Sequence, residues 1–164
     1  MTSTDAQGRL IASPDYADAI AGDSINVYPS GAGGLYSTAG DYTRFCQMLL
    51  NGGELNDVRI LSARTVELMM TNQLSHLHPP QTEFRPGEGF GLGGYVVVDD
   101  VRRGRLGSIG QFGWFGAAGT YFIIDRQEQL VALLMFQHLP QGLLHDPPKL
   151  SAPFYNLVHQ SLIH

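Results

Sequence analysis

Few side chains in this sequence are of a type and spacing that does chemistry. Its one lysine is Lys149, and the residue three places before it is Asp146, so the chain holds no Ser-x-x-Lys pair in which an amine activates a hydroxyl. Gly-x-Ser-x-Gly is absent too, which removes the strained turn that presents a serine nucleophile in α/β-hydrolases. His76 and His78 would share a face if extended, but no third ligand accompanies them and prolines follow, so a surface loop and no bound metal are expected. His138, His145 and His159 are scattered without the spacing of a helical pair. Asp99-Asp100 reads as a solvated turn rather than an acid/base couple. Gly89-x-Gly91 has neither a lysine nor a following amphipathic helix, so it is not a phosphate cradle, and no cofactor is expected.

What remains is an aromatic, glycine-rich segment around Trp114. Gly104, Gly107, Gly110, Gly113, Gly116 and Gly119 fall at every third position, but the intervening residues lack proline and the run is too short for collagen. In a strand such glycines alternate faces and clear room for another backbone or a ligand beside Ile109, Phe112 and Trp114. On the residues alone, Trp114 and Phe115 are neighbours on opposite faces of a core strand.

The elements that must hold this segment can be read from periodicity. Residues 1–34 are small, polar and turn-rich, an extended lead-in with little to bury, and residues 35–164 are the domain proper. Ser37-Thr38 with Asp41 opens a helix that carries Tyr42, Phe45, Met48 and Leu49 at helical spacing, and Asn51-Gly52-Gly53 stops it. Ser62 opens a second helix that buries Val66, Met69 and Met70, after a short loop over 54–61 with a brief extended piece. Residues 76–86 are a proline-broken loop. The pattern then changes to strands over 90–98, 121–124 and 130–136, the last two joined by the turn Asp125-Arg126-Gln127-Glu128. Unbroken apolarity over 130–136 requires a layer on each face of the sheet. A final helix capped by Ser151, with Pro153 in its first turn and Phe154, Leu157, Val158 and Leu162 as its stripe, supplies one of them. The fold class is therefore α+β, an antiparallel sheet of three or four strands with flanking helices.

Composition narrows the partners. The 164 residues are 43% hydrophobic and 15% charged, with a formal charge of −5, which gives no electrostatic footprint for nucleic acid or an anionic membrane. Arg102, Arg103 and Arg105 form the one basic cluster, read as a solvated hairpin tip. Cys46 is alone, sits among Phe45, Met48 and Leu49, and reads as a buried hydrophobe. No apolar run approaches the roughly 18 residues of a membrane span, and the first residues do not resemble a signal peptide, so a soluble chain with no visible address is expected.

Three separated segments, in this order, carry a family resemblance: Gly33-Gly34-Leu35-Tyr36-Ser37-Thr38-Ala39-Gly40-Asp41-Tyr42-Thr43-Arg44-Phe45, then Met48-Leu49-Leu50-Asn51-Gly52-Gly53, then Gly113-Trp114-Phe115-Gly116-Ala117-Ala118-Gly119-Thr120-Tyr121-Phe122 with Ile123-Ile124-Asp125 and Leu130-Val131. Together they resemble the C-terminal part of the serine β-lactamase-related family: class C β-lactamases, D-Ala-D-Ala peptidases and esterases of that fold, many of them bacterial. The resemblance implies a partial β-lactamase/transpeptidase-like fold and acyl transfer to serine on esters, amides or β-lactams. It also implies that Trp114-Phe115-Gly116 stands where the family has Lys-Thr-Gly or Trp-x-Gly on an exposed edge strand. Trp114 would then be an apolar wall and the Ala117 N–H one of two oxyanion donors. Phe115 departs from the small residue usual in the middle position. The family's nucleophile serine, its lysine and its Tyr-x-Asn are not found in this sequence; Tyr28-Pro29-Ser30 has the Tyr-x-Ser form but comes too late in the chain.

The expectation is thus a portion of a serine hydrolase without its attacking group, inactive alone and prone to self-association through uncovered apolar surface. Two alternatives stay open. One is a non-catalytic module that uses the strand edge and Trp114 to hold a peptide. The other is one half of a split enzyme whose N-terminal half is a separate chain.

Overall fold

The computed structural model describes residues 1–12, 37–77, 79, 81–139 and 150–163. Tyr28-Pro29-Ser30, His78, His145 and Lys149, and most of the lead-in over 1–34, lie outside the described residues. Of the lead-in's described residues, β1 (Thr2–Thr4) and β2 (Leu10–Ala12) pair as an antiparallel hairpin. The hairpin is tied to the end of the main sheet by Thr2 N–H donating to Gln137 O and Leu139 N–H to Thr2 O, both at 2.8 Å.

Helix α1 (Ala39–Leu50) starts where the sequence places it: Thr38 Oγ1 accepts from Asp41 N–H at 3.1 Å, satisfying one of the orphan donors of the first turn. It buries Cys46, Met48, Leu49 and Leu50, while Phe45 stays exposed, so the buried stripe is rotated from the expected one. Asn56 and Asp57, both at positive φ, turn a small ribbon of β3 (Glu54–Leu55) and β4 (Val58–Arg59). Helix α2 (Ala63–Met69) is capped by Ser62 Oγ accepting from Thr65 N–H at 3.1 Å, and Val66 is its buried anchor.

The main sheet is a five-stranded antiparallel meander, β5 (Glu88–Phe90), β6 (Tyr95–Val97), β7 (Phe112–Phe115), β8 (Thr120–Asp125) and β9 (Leu130–Met135), each strand beside its successor. The single strand expected over 90–98 is instead a hairpin. Gly91 N–H donates to Gly94 O at 2.8 Å and Leu92 N–H to Met69 O at 2.9 Å, so the chain reverses there against the end of α2.

Between β6 and β7 a short helix, α3 (Asp100–Arg103), is capped by Asp99 Oδ1 accepting from Arg102 N–H at 2.9 Å. Asp99 and Asp100 are thus a helix start, not a bare turn.

The period of two along the strands builds two cores. On one face Val96, Phe112, Phe122 and Ile124 pack with Cys46, Leu49 and Val66 of α1 and α2. On the other, Tyr95, Val97, Ile123 and Ala132 pack with Tyr155 of α4 (Ser151–Gln160). β9 therefore has a helix on each side, as its unbroken apolarity requires. Helix α4 differs from expectation in two details. Ser151 is its first residue and buried rather than its cap, and Leu157 points to solvent while Tyr155, 1% exposed, is the anchor. Tyrosine was missed because its hydroxyl makes it a half-polar entry in any apolar stripe. No helix among the described residues is long and apolar enough to cross a membrane.

Candidate functional site

The resemblance implies an exposed edge strand at Trp114-Phe115-Gly116; the sheet of the described residues has this strand inside it. β7 is the central strand of the sheet, paired with β8 along its whole length and with β6 through Phe112 and Gly113. β6 pairs with it no further than Tyr95, opposite Gly113, so the second half of β7, at Trp114 and Phe115, has a partner on one side alone. The strand offers a free edge for half its length. That half carries the residues in question.

The glycine series also resolves differently. Of its six members Gly113 alone lies in a strand. A Cβ there would come within 2.5 Å of Phe122 O and 2.7 Å of the Tyr95 hydroxyl, so this glycine admits neighbouring protein atoms, not a ligand. At Gly116 a Cβ would meet Thr120 Oγ1 at 2.4 Å, which keeps the turn into β8 tight.

Trp114 is half-buried and sits in an aromatic group. Its ring meets Phe90 edge-on at 5.2 Å and 86°, tilts on Phe84 at 5.9 Å, and stacks on Phe115 at 4.7 Å and 25°. Strict alternation would separate Trp114 and Phe115 across the sheet; their stacking shows that both rings lean over the free edge. Arg85 lies over the Phe115 ring at 4.7 Å and over Phe84 at 5.0 Å. The sequence reading missed Phe84, Arg85 and Phe90 because they adjoin a proline-broken loop. That loop is in fact held to the sheet, with Phe84 and Arg85 N–H both donating to Glu88 O, at 2.6 and 3.1 Å. The one aromatic of that loop, Phe84, two residues before Pro86, was the available signal.

Past the strand, Gly116 N–H is used by Thr120 O at 2.8 Å, and Ala118 O accepts from His138 N–H at 3.0 Å. Ala117 is exposed, and among the described residues no acceptor meets its N–H. An unpaired backbone donor beside an aromatic wall is the kind of group that stabilises a developing oxyanion.

The arginine cluster is not a solvated tip. Arg103 is buried, its Nε donating to Glu88 Oε1 at 2.9 Å, its Nη1 to Gln111 Oε1 at 2.5 Å and its Nη2 to the Tyr95 hydroxyl at 3.2 Å. Arg105 Nη2 reaches the same Glu88 carboxylate, and Arg102 alone stays at the surface, on Glu83. The expectation failed because Glu88, the counter-charge, lies on a strand distant in sequence.

Other titratable groups have structural roles. Asp125 is wholly buried; it accepts from Ser108, Gln127 and Glu128 N–H and stands 3.4 Å from His159 Nε2, while His159 Nδ1 contacts Tyr155 O at 2.8 Å. With both ring nitrogens occupied, His159 ties α4 to β8 rather than serving as a base. His76 is exposed on the 3₁₀ turn Leu74–His76. Burial pushes the Cys46 thiol up to about 12, as befits a core residue. Among the described residues no group of three or more His, Cys, Asp or Glu is placed to hold a metal.

Known proteins resemble this chain over much of its length. Protein Rv1367c of Mycobacterium tuberculosis is 42% identical over 118 residues, 66% of this chain and 29% of that protein. A putative D-alanyl-D-alanine carboxypeptidase of Escherichia coli O157:H7 is 31% identical over 120 residues, covering 73% of this chain and 26% of the relative. Among solved structures, EstCE1, a hydrolase with promiscuous acyltransferase activity, superposes with a TM-score of 0.60 at 26% identity over 74% of this chain and 30% of its own. The chain thus spans less than a third of the length of these proteins. The Beta-lactamase family profile matches residues 1–149, and with the antiparallel sheet between helical layers this places the chain in the Beta-lactamase family, as a part of that fold.

Proposed function

We propose that this chain supplies the sheet side of a serine hydrolase site acting on esters, amides or β-lactams through an acyl-enzyme. The observation that carries this reading is the Ala117 N–H, unpaired among the described residues, two residues past the end of the half-free β7 that carries Trp114. In that role Ala117 donates to the oxyanion and Trp114, backed by Phe84 and Phe90, walls the acyl or alcohol group. Phe115 stands over the edge where the family has a small residue, and narrows the site there. The attacking serine, its lysine and the proton-shuttling tyrosine come from outside these residues, because the sequence has no Ser-x-x-Lys and no Tyr-x-Asn. The chain alone therefore carries out no turnover.

The test uses the chain alone and the chain combined with a Ser-x-x-Lys-bearing N-terminal portion of a relative. Alone it takes no fluorophosphonate label and leaves p-nitrophenyl esters and a chromogenic cephalosporin intact. In combination hydrolysis appears, and Ala117→Pro, which deletes the N–H, lowers kcat by about 10²–10³-fold. Saturable labelling of a serine in the isolated chain, or full activity in Ala117→Pro, overturns the proposal. Stoichiometric peptide binding with no activity in combination supports the module reading instead.

A further inference from the structure

Beside α4 lies a partly open pocket of about 110 Å³ that shares one wall residue, Phe115, with the proposed hydrolase site. It is lined by Arg85, Arg105, Phe115, Tyr121, Ser151 and Tyr155 together with Tyr95, and none of them is acidic. Behind the wall the single Glu88 carboxylate faces two guanidiniums, Arg103 and Arg105, so the network keeps an excess positive charge, to which Arg85 adds. A cationic pocket lined by largely buried groups attracts a counter-charge.

Two side-chain donors there have no partner among the described residues. The Tyr155 hydroxyl is buried and unmatched, and so is Arg105 Nε. Burial pushes the Tyr155 hydroxyl's pKa up, which keeps it protonated and able to donate. A third source of donors is the start of α4. Leu150 provides no side-chain cap, and among the described residues no acceptor meets the Ser151 or Ala152 N–H.

We infer that this cavity binds a small carboxylate, one oxygen toward Arg105 Nε and the other toward the Tyr155 hydroxyl, with the first turn of α4 completing the shell. Carboxylate fits better than phosphate because Arg105 Nη2 is already committed to Glu88. The guanidinium fork that phosphate favours is half used, and two unmatched side-chain donors suit two oxygens. The carboxylate comes either free in solution or as an Asp or Glu side chain of the longer protein outside this chain. The inference does not depend on the hydrolase proposal: its donors are Arg105 and Tyr155, and Phe115 is shared between the two only as a wall.

The experiment titrates sodium acetate into the 164-residue chain, with chloride matched for ionic strength, and follows amide chemical shifts and thermal unfolding. Saturable shifts at Arg105 and α4 are expected, with affinity weakened about tenfold in Arg105→Gln and by a smaller factor in Tyr155→Phe. Arg64→Gln, on an exposed surface pair, leaves it unchanged. Tyr155→Phe removes one hydroxyl and no packing, so the question is answered even where Arg105→Gln does not fold. Absence of saturation up to about 100 mM acetate, equal affinity in Tyr155→Phe, or phosphate binding tighter than acetate overturns the inference. Acetate binding to the isolated chain but not to a longer protein containing it assigns the site to a side chain; binding to both assigns it to a free carboxylate.

Discussion

Arg103 donates from Nε to Glu88 Oε1 at 2.9 Å with 2% and 4% of the two side chains exposed. The pair joins α3 to β5 beneath the hairpin, and Arg103 also reaches Tyr95 on β6 and Gln111 at the entry to β7. One guanidinium therefore fixes three strands relative to one another. In a shielded place its hydrogen bonds are worth most when all are made, and removing the carboxylate strands two positive charges.

Glu88→Ala is accordingly expected to cost about 3–5 kcal/mol, whereas Arg102→Ala, which breaks the exposed contact with Glu83, costs about 1 kcal/mol or less. Urea unfolding of the two variants measures both. Similar losses would show that α3 is held by packing and not by this network.

Much of the fold was legible because its signals are local. Thr38, Ser62 and Gly52-Gly53 mark helix ends by the chemistry of a few bonds, and the structure has caps and a stop there. The β8–β9 hairpin and the helix on each side of β9 follow from apolar patterning. What was not legible depends on partners far apart in sequence. Arg103 looks solvated until Glu88 is brought beside it, and the Phe90–Val98 run looks continuous until the Gly91–Gly94 reversal docks on Met69. At the candidate site the residues themselves pointed to the segment around Trp114, and the roles of Trp114 and Ala117 came only through resemblance. Phe84 and Phe90 were not legible, since nothing local says that the aromatic of a proline-broken loop and the first residue of the strand expected over 90–98 meet the Trp114 ring.

Gly53 tests the first of these local signals. It has φ +97°, and a Cβ would lie 2.2 Å from Leu61 O. Gly53→Ala is expected to destabilise the chain by about 1–3 kcal/mol from the left-handed backbone alone, with the clash adding to it. Gly93→Ala has a positive φ but open space around it, and should show the backbone cost without the clash. Equal melting shifts in the two variants would count against the close approach of α1's end to Leu61.

The Cys46 thiol, pushed up to about 12 from 9.0 by burial, sets a pH dependence. The folded state favours the protonated thiol, so its contribution is fully present below the unfolded value near 9.0 and is lost as pH rises toward about 12. Burial raises the Tyr95 and Tyr155 hydroxyls in the same direction. The chain should therefore unfold in alkali, and Cys46→Ala should remove part of that sensitivity. With its pKa raised by burial the thiol stays protonated in the fold at pH 8, so a disulfide reagent should react at the rate of opening. Rapid stoichiometric labelling of the native chain would contradict the burial of Cys46.

Trp114 is the only tryptophan, so its fluorescence reports on the candidate wall directly. Its ring contacts Phe84, Phe90 and Phe115, and all four sit at or beside the free half of β7. A wall of this kind discriminates substrates by the apolar surface it covers. In the reconstituted hydrolase, Trp114→Ala is expected to lower kcat/KM for a long-chain p-nitrophenyl ester about tenfold more than for the acetate ester, since each methylene against a hydrophobic wall is worth about 1–3 kcal/mol at most. Trp114→Phe should recover much of the difference. A residue that merely supports the sheet would lower both substrates by the same factor, because a loosened strand misplaces the Ala117 N–H whatever acyl chain is bound. The ratio between the two esters therefore separates a wall from a strut, and an unchanged ratio would remove Trp114 from the site.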